Sequence, residues 1–166
     1  MDFVFFGYDF LLDAAKRLCA DGHTLKAIYT FECDNKTSFN QECYALGKAV
    51  GAPVYIEKPD AEQCRAHIKN GVSCFVSAGY PHKIPVIKQS GFFALNIHPA
   101  YLPKGRGLLP VPKIIMDSPG AAGVTIHKLS DELDAGDILA QQPFDISETE
   151  TVETYGTRML LCVPDM

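Results

Sequence analysis

Phe3-Val4-Phe5-Phe6 is an unbroken apolar run closed by Gly7. A strand with one wet face alternates apolar and polar residues, so an unbroken run predicts a strand covered on both faces. That is the habit of parallel sheets. Further strand-like segments follow at Leu25 to Phe31, Val54 to Ile56, Val72 to Ser77, Phe92 to Ile97, Val124 to His127 and Asp137 to Gln141. Helical patterns fall between most of them. Such alternation predicts an α/β fold with a mainly parallel sheet.

The helices carry their own signals. Asp9 is placed to cap a helix with Leu11, Ala15, Leu18 and Cys19 on one face, closed by Asp21-Gly22. Ser38 and Gln41 have capping-box spacing ahead of Phe39, Cys43, Leu46 and Val50, a stripe ended by Gly51. Asp60 starts a short helix through Ile68, another begins near Pro110, and Thr149 caps the last. Pro164 kinks or ends that helix, since an interior proline costs about 3 kcal/mol. The chain stops two residues later, as a piece of a longer protein would. With no repeat, low-complexity tract or linker, residues 1–166 are expected to form a single domain.

Bulk properties narrow the partners. A net charge of −5 and no basic stripe argue against nucleic acid, so a small-molecule partner is expected. No apolar run nears the roughly 20 residues of a membrane span, and no signal peptide opens the chain, so neither membrane nor export is expected. Cys19, Cys33, Cys43, Cys64, Cys74 and Cys162 include no Cys-x-x-Cys pair and no metal spacing with histidine. They read as reduced thiols in a cytoplasmic protein without a metal.

Two segments carry chemistry. In Leu95-Asn96-Ile97-His98-Pro99, residues two apart on a strand project to one side, so Asn96 and His98 point together. They stand at the carboxyl end of their strand, the edge where open α/β sheets bind ligands. The second segment, Asp131 to Asp137, is an acidic loop with a glycine turn between two strands. Alone, the first pair reads as a loop asparagine and a strand-end histidine, and the second as a solvated turn. Together they supply an amide, an imidazole and a carboxylate, a set suited to acyl transfer to an amine. Asn96 and a protonated His98 would donate to the developing oxyanion. Asp134 would stabilise the imidazolium or take the amine's excess proton. His127, inside a strand, reads as structural. Lys104 and Arg106 either hold an anionic acceptor or decorate a solvated loop.

The string Asn96-Ile97-His98-Pro99-Ala100-Tyr101-Leu102-Pro103-Lys104-Gly105-Arg106-Gly107, followed by Gly123 to Gln141, resembles the formyltransferase catalytic domain. That domain is shared by methionyl-tRNA, glycinamide ribonucleotide and sugar N-formyltransferases. The resemblance covers about residues 3–160 and includes Ser77 to Pro85. It implies a Rossmann-like three-layer domain with a mostly parallel central sheet, catalytic Asn96, His98 and Asp134, and N10-formyltetrahydrofolate as donor. By the same resemblance Tyr80, Pro81, His82, Ile84 and Pro85, with Ser130, Asp131 and Leu133, contact the folate. Tyr8, Tyr101, Lys104 and Arg106 are the expected acceptor contacts.

Departures bear on the acceptor. Purine-pathway members open with a Gly-Ser-Asn phosphate loop, where this chain has Phe6-Gly7-Tyr8-Asp9. Initiator-tRNA members carry a longer basic loop after the second strand and an RNA-binding second domain; here the loop is Cys33 to Thr37. Ala100-Tyr101 replaces the family's small residue and leucine, placing a ring beside the site. By elimination the acceptor is expected to be a small or nucleotide-linked amine, such as an amino sugar. Two rivals share the pattern: a hydrolase releasing formate from the same donor, and a folate- or nucleotide-binding module without catalysis. The hydrolases usually carry an extra N-terminal domain, which favours transfer here. A dinucleotide oxidoreductase is disfavoured, because the turn after the first strand offers only Gly7 and no Gly-x-Gly-x-x-Gly.

Overall fold

A computed structural model describes residues 1–163, within which two compact units are distinct, Met1–Leu95 and a second beginning at Asn96. In the first unit β1 (Asp2–Gly7) lies between β2 (Thr24–Tyr29) and β4 (Cys74–Ala78), and β3 (Val54–Tyr55) pairs with the outer side of β2. All three pairings are parallel. Phe3, Val4, Phe5 and Phe6 are fully buried, as an apolar run in a parallel sheet should be. Gly7 ends the run because a Cβ there would lie 2.4 Å from the Ala78 carbonyl oxygen.

β5 (Phe93–His98) spans the boundary, and the second unit adds α4 (Pro110–Asp117), β6 (Gly123–Lys128), β7 (Ile138–Pro143) and α5 (Val152–Cys162). β6 and β7 run antiparallel. The strand order is β3-β2-β1-β4-β5-β6-β7. This seven-stranded, mostly parallel sheet with its helices is the Rossmann-like α/β architecture expected from the sequence.

Helix capping departs from expectation in three places. Before α2 (Gln41–Val50), Ser38 and Gln41 form no capping box: Ser38 Oγ donates to Asp34 Oδ1 at 3.1 Å, and the boundary residue is Asn40. The first-turn amides of Glu42 and Cys43 instead donate to the Asp9 carboxylate, at 3.1 and 3.0 Å. Asp9 therefore does not cap α1 (Leu12–Ala20), which follows a short 3-10 turn and has Leu11 at its boundary. A carboxylate serves any helix amino end within reach, whether or not it is near in sequence. α5 starts at a reciprocal Thr151–Thr154 box, two residues beyond Thr149. α3 (Ala61–Lys69) does follow the local signal: Asp60 accepts from the Gln63 amide at 2.8 Å, and Gln63 Oε1 takes the Asp60 N–H at 2.9 Å. The break expected at Pro164 lies outside the described residues.

The six cysteines are free thiols, with Cys43, Cys64 and Cys74 buried. Among the described residues no helix is long and apolar enough to cross a membrane, and no His, Cys, Asp or Glu cluster could hold a metal.

Candidate active site

β5 presents Asn96 and His98, and the turn between β6 and β7 presents Asp134. His98 and Asp134 are buried. A carbonyl only accepts, so His98 Nε2–H donates to the Gly105 carbonyl at 2.9 Å. That leaves His98 Nδ1 facing Asp134 Oδ1 at 3.6 Å. The other carboxylate oxygen, Oδ2, accepts the Gly107 N–H at 3.0 Å. The loop that follows β5 thus holds both the histidine and the carboxylate through its own backbone.

The turn is built for this. Asp134 has φ 51°, the left-handed region that aspartate tolerates better than most residues. Gly136 is required two residues on, because a Cβ there would meet the Lys128 carbonyl oxygen at 1.9 Å.

A fourth side chain joins the three. His127 is 1% exposed, and its Nδ1–H donates to the Lys128 carbonyl at 2.9 Å. Its Nε2 lies 3.2 Å from Asn96 Nδ2 and 3.6 Å from Asp134 Oδ1. Burial holds the His127 pKa below the ordinary 6.5, opposed by the Lys128 carbonyl and Asp134 and reinforced by His98 and Arg106. Sequence reasoning set His127 aside as a strand residue. The overlooked signal was Thr125-x-His127, a polar pair two apart whose members are both buried while Ile126 between them is not.

Buried hydrogen bonds brace the loop. Thr125 Oγ1 donates to the Ala100 carbonyl at 2.7 Å and accepts from the Leu102 amide at 3.1 Å. Gln141 Nε2 donates to the Leu102 carbonyl at 2.7 Å and to Thr125 Oγ1 at 3.0 Å. The Tyr155 hydroxyl accepts the Gly123 N–H at 3.1 Å and donates toward the Pro99 and Gly123 carbonyls at 3.0 and 3.1 Å. The Leu102–Pro103 peptide is cis.

The remaining candidates fall in separate places. In the second unit, Lys104 Nζ reaches the Gly120 carbonyl at 3.4 Å, and Arg106 Nη1 stands 3.8 Å from Glu132 Oε1 with both side chains exposed. Tyr101 is half-buried, its amide donating to Ala121 at 2.8 Å. Gly105, Arg106, Leu109, Lys113, Ile114 and Ser118 line a groove of about 430 Å³. Ser130 Oγ donates to the Glu132 carbonyl at 2.7 Å, and Asp131 and Leu133 are exposed.

In the first unit, the Tyr80 hydroxyl is buried with no hydrogen-bond partner among the described residues, and burial pushes its pKa up to about 12. Its ring meets Phe6 and His82 edge-on. Pro81 and His82 are exposed, Ile84 lies in the core, and Pro85 lines a cavity of about 410 Å³ with Lys58, Pro59, Asp60 and Lys83. Tyr8 is half-buried against Phe10 and Phe31, which raises its pKa.

A Rossmann-like sheet carries a half-buried amide at the end of β5 with a buried imidazole and carboxylate, an arrangement that suits group transfer. A family model described as formyl transferase matches residues 36–162, and the chain belongs to that family. Methionyl-tRNA formyltransferase of Anaplasma phagocytophilum (strain HZ) is 31% identical, over 99% of this chain and 60% of its own length. A sugar N-formyltransferase structure from Shewanella sp FDAARGOS_354 aligns with TM-score 0.74 at 25% identity, over 99% of this chain and 65% of that one. Glycinamide ribonucleotide transformylase 1 from Symbiobacterium toebii aligns with TM-score 0.78 at 20% identity, over 100% and 83%. The chain spans 23% to 60% of the length of the curated relatives it matches.

Proposed function

We propose that this chain transfers a formyl group from N10-formyltetrahydrofolate to the primary amine of a small or nucleotide-linked acceptor, in the cytoplasm. The observation that carries the reading is the cluster of half-buried Asn96 with buried His98 and Asp134, in which the Asp134 carboxylate faces His98 Nδ1 at 3.6 Å. The amine attacks the formyl carbon and its carbonyl oxygen becomes an oxyanion. Asn96 N–H and protonated His98 donate to that oxygen, the kind of stabilisation that is strongest where water is excluded. At 3.6 Å the carboxylate balances the imidazolium charge without consuming the Nδ1–H in a hydrogen bond, so that proton stays available to an oxyanion placed beside it. The carbon–N10 bond then breaks. The amine gives up its excess proton to Asp134, directly or through water, and that proton passes on to N10, so the carboxylate is regenerated. No side chain forms a covalent bond.

The folate contacts are read as Tyr80 to Pro85 and Ser130 to Leu133. The six free thiols support a reducing compartment. For the acceptor, Arg106 and Lys113 put two cations on a groove whose Gly105 and Gly107 wall also hydrogen-bonds His98 and Asp134. That supports an anionic amine such as a nucleotide-linked amino sugar, with Tyr8, Tyr101 and Lys104 as further contacts.

The test offers formyltetrahydrofolate with amino-sugar nucleotides, ribonucleotide amines and methionyl-tRNA, and reads the mass gain of one formyl group. Formylation of an amino-sugar nucleotide is the expected outcome; preference for the charged tRNA would overturn the acceptor reading. Formate release without acceptor formylation would assign hydrolysis instead. Asn96→Ala, His98→Ala and Asp134→Asn should each lower kcat by about 10²–10³ with folate affinity little changed.

A further inference from the structure

We propose that His127 is a positioning residue that sets the orientation of the Asn96 amide for formyl transfer. This rests on Asn96 acting as an oxyanion donor. An asparagine amide has two chemically opposite ends of nearly equal shape, so something must decide which end faces the reacting atoms. His127 makes that decision through its tautomer. The Lys128 carbonyl, 2.9 Å from Nδ1, can only accept, so Nδ1 carries the proton and Nε2 of the neutral ring carries a lone pair. That lone pair, 3.2 Å from Asn96 Nδ2, accepts one amide N–H and repels the amide oxygen. The second Asn96 N–H is left for the oxyanion.

A merely structural histidine would be satisfied by fewer contacts. The Lys128 carbonyl occupies one nitrogen, and the hydrogen bond at the other goes to a residue of the cluster. Asp134 Oδ1, 3.6 Å from the same Nε2, is a second acceptor and offers that lone pair nothing to bind. The charged and titratable groups around the ring are Asp134, His98 and Arg106. Burial keeps the ring neutral, which the tautomer argument requires. If the ring were protonated, Nε2–H would need an acceptor, Asn96 would turn its oxygen inward, and the oxyanion donor would be lost.

Two measurements test this. Nitrogen-15 NMR of the imidazoles in the whole chain, without substrate at neutral pH, should show His127 as the neutral Nδ1–H tautomer. A Nε2–H tautomer or an imidazolium would overturn the proposal. In turnover assays His127→Leu should lower kcat by about 10- to 100-fold with the folate KM nearly unchanged, as when an orienting partner is lost. His127→Gln, whose amide oxygen can accept the same Asn96 N–H, should recover most of the loss. Equal kcat in folded His127→Leu and parent, or failure of His127→Gln to recover while still folded, would also overturn it. The NMR result needs no turnover. Correct tautomer with no formylation of any amine would therefore count against the function while leaving the geometry standing.

Discussion

The two compact units bury different things. In the first, Phe3, Phe5, Phe6 and Phe75 fill the sheet, and the buried polar side chains among the described residues are Thr30 and Ser77. In the second they are His98, Thr125, His127, Asp134 and Glu150. Apolar burial is non-directional and tolerates many partners, whereas each buried polar group needs a specific one. Accordingly, Phe6 meets Tyr29, Phe75 and Tyr80 through ring packing alone. His98, Thr125, His127 and Asp134 each have a named acceptor or donor, and those partners are mostly backbone groups of the loop after β5. One unit is built for stability by area; the other holds a polar geometry in place at some cost in desolvation.

The comparison can be broken from either side. Phe6→Ala should give the largest effect, a loss of about 3–5 kcal/mol of folding stability by denaturant titration. Under conditions where the variant is folded its kcat should stay near that of the parent. A kcat loss as deep as that of the cluster variants would erase the contrast. Tyr155→Phe tests the opposite side. It removes one oxygen but strands the Gly123 N–H and the Pro99 carbonyl, so about 1–3 kcal/mol should be lost, together with part of kcat as the loop after β5 loosens. Full stability in that variant would mean the polar brace contributes nothing.

Asp9→Ala sharpens the picture at the smallest scale. Losing the carboxylate cap of α2 should cost about 1 kcal/mol. The effect should be local, with faster amide hydrogen exchange at Glu42 and Cys43 and none at Gln63, whose cap is separate. Uniform acceleration across both helices would show that Asp9 acts on the whole unit instead.

What could be read in the sequence was whatever depends on near neighbours. The Phe3 to Phe6 run announced a doubly covered strand, and Asp60 with Gln63 announced the start of α3, because both signals lie within a few residues of chain. The projection of Asn96 and His98 to one side followed from the period of a strand. Asp134 was joined to them by the chemistry such a set could perform and by resemblance, rather than by any local rule. The tertiary structure alone decided the rest. It gave α2 a cap from Asp9, 33 residues earlier, and sent Ser38 to Asp34 instead. It carried His127 across to Asn96, 31 residues away, and made a strand histidine part of the cluster. Local pattern records what a residue prefers to be. A hydrogen bond to a distant partner depends on where the chain returns, and no window of neighbouring residues contains that position.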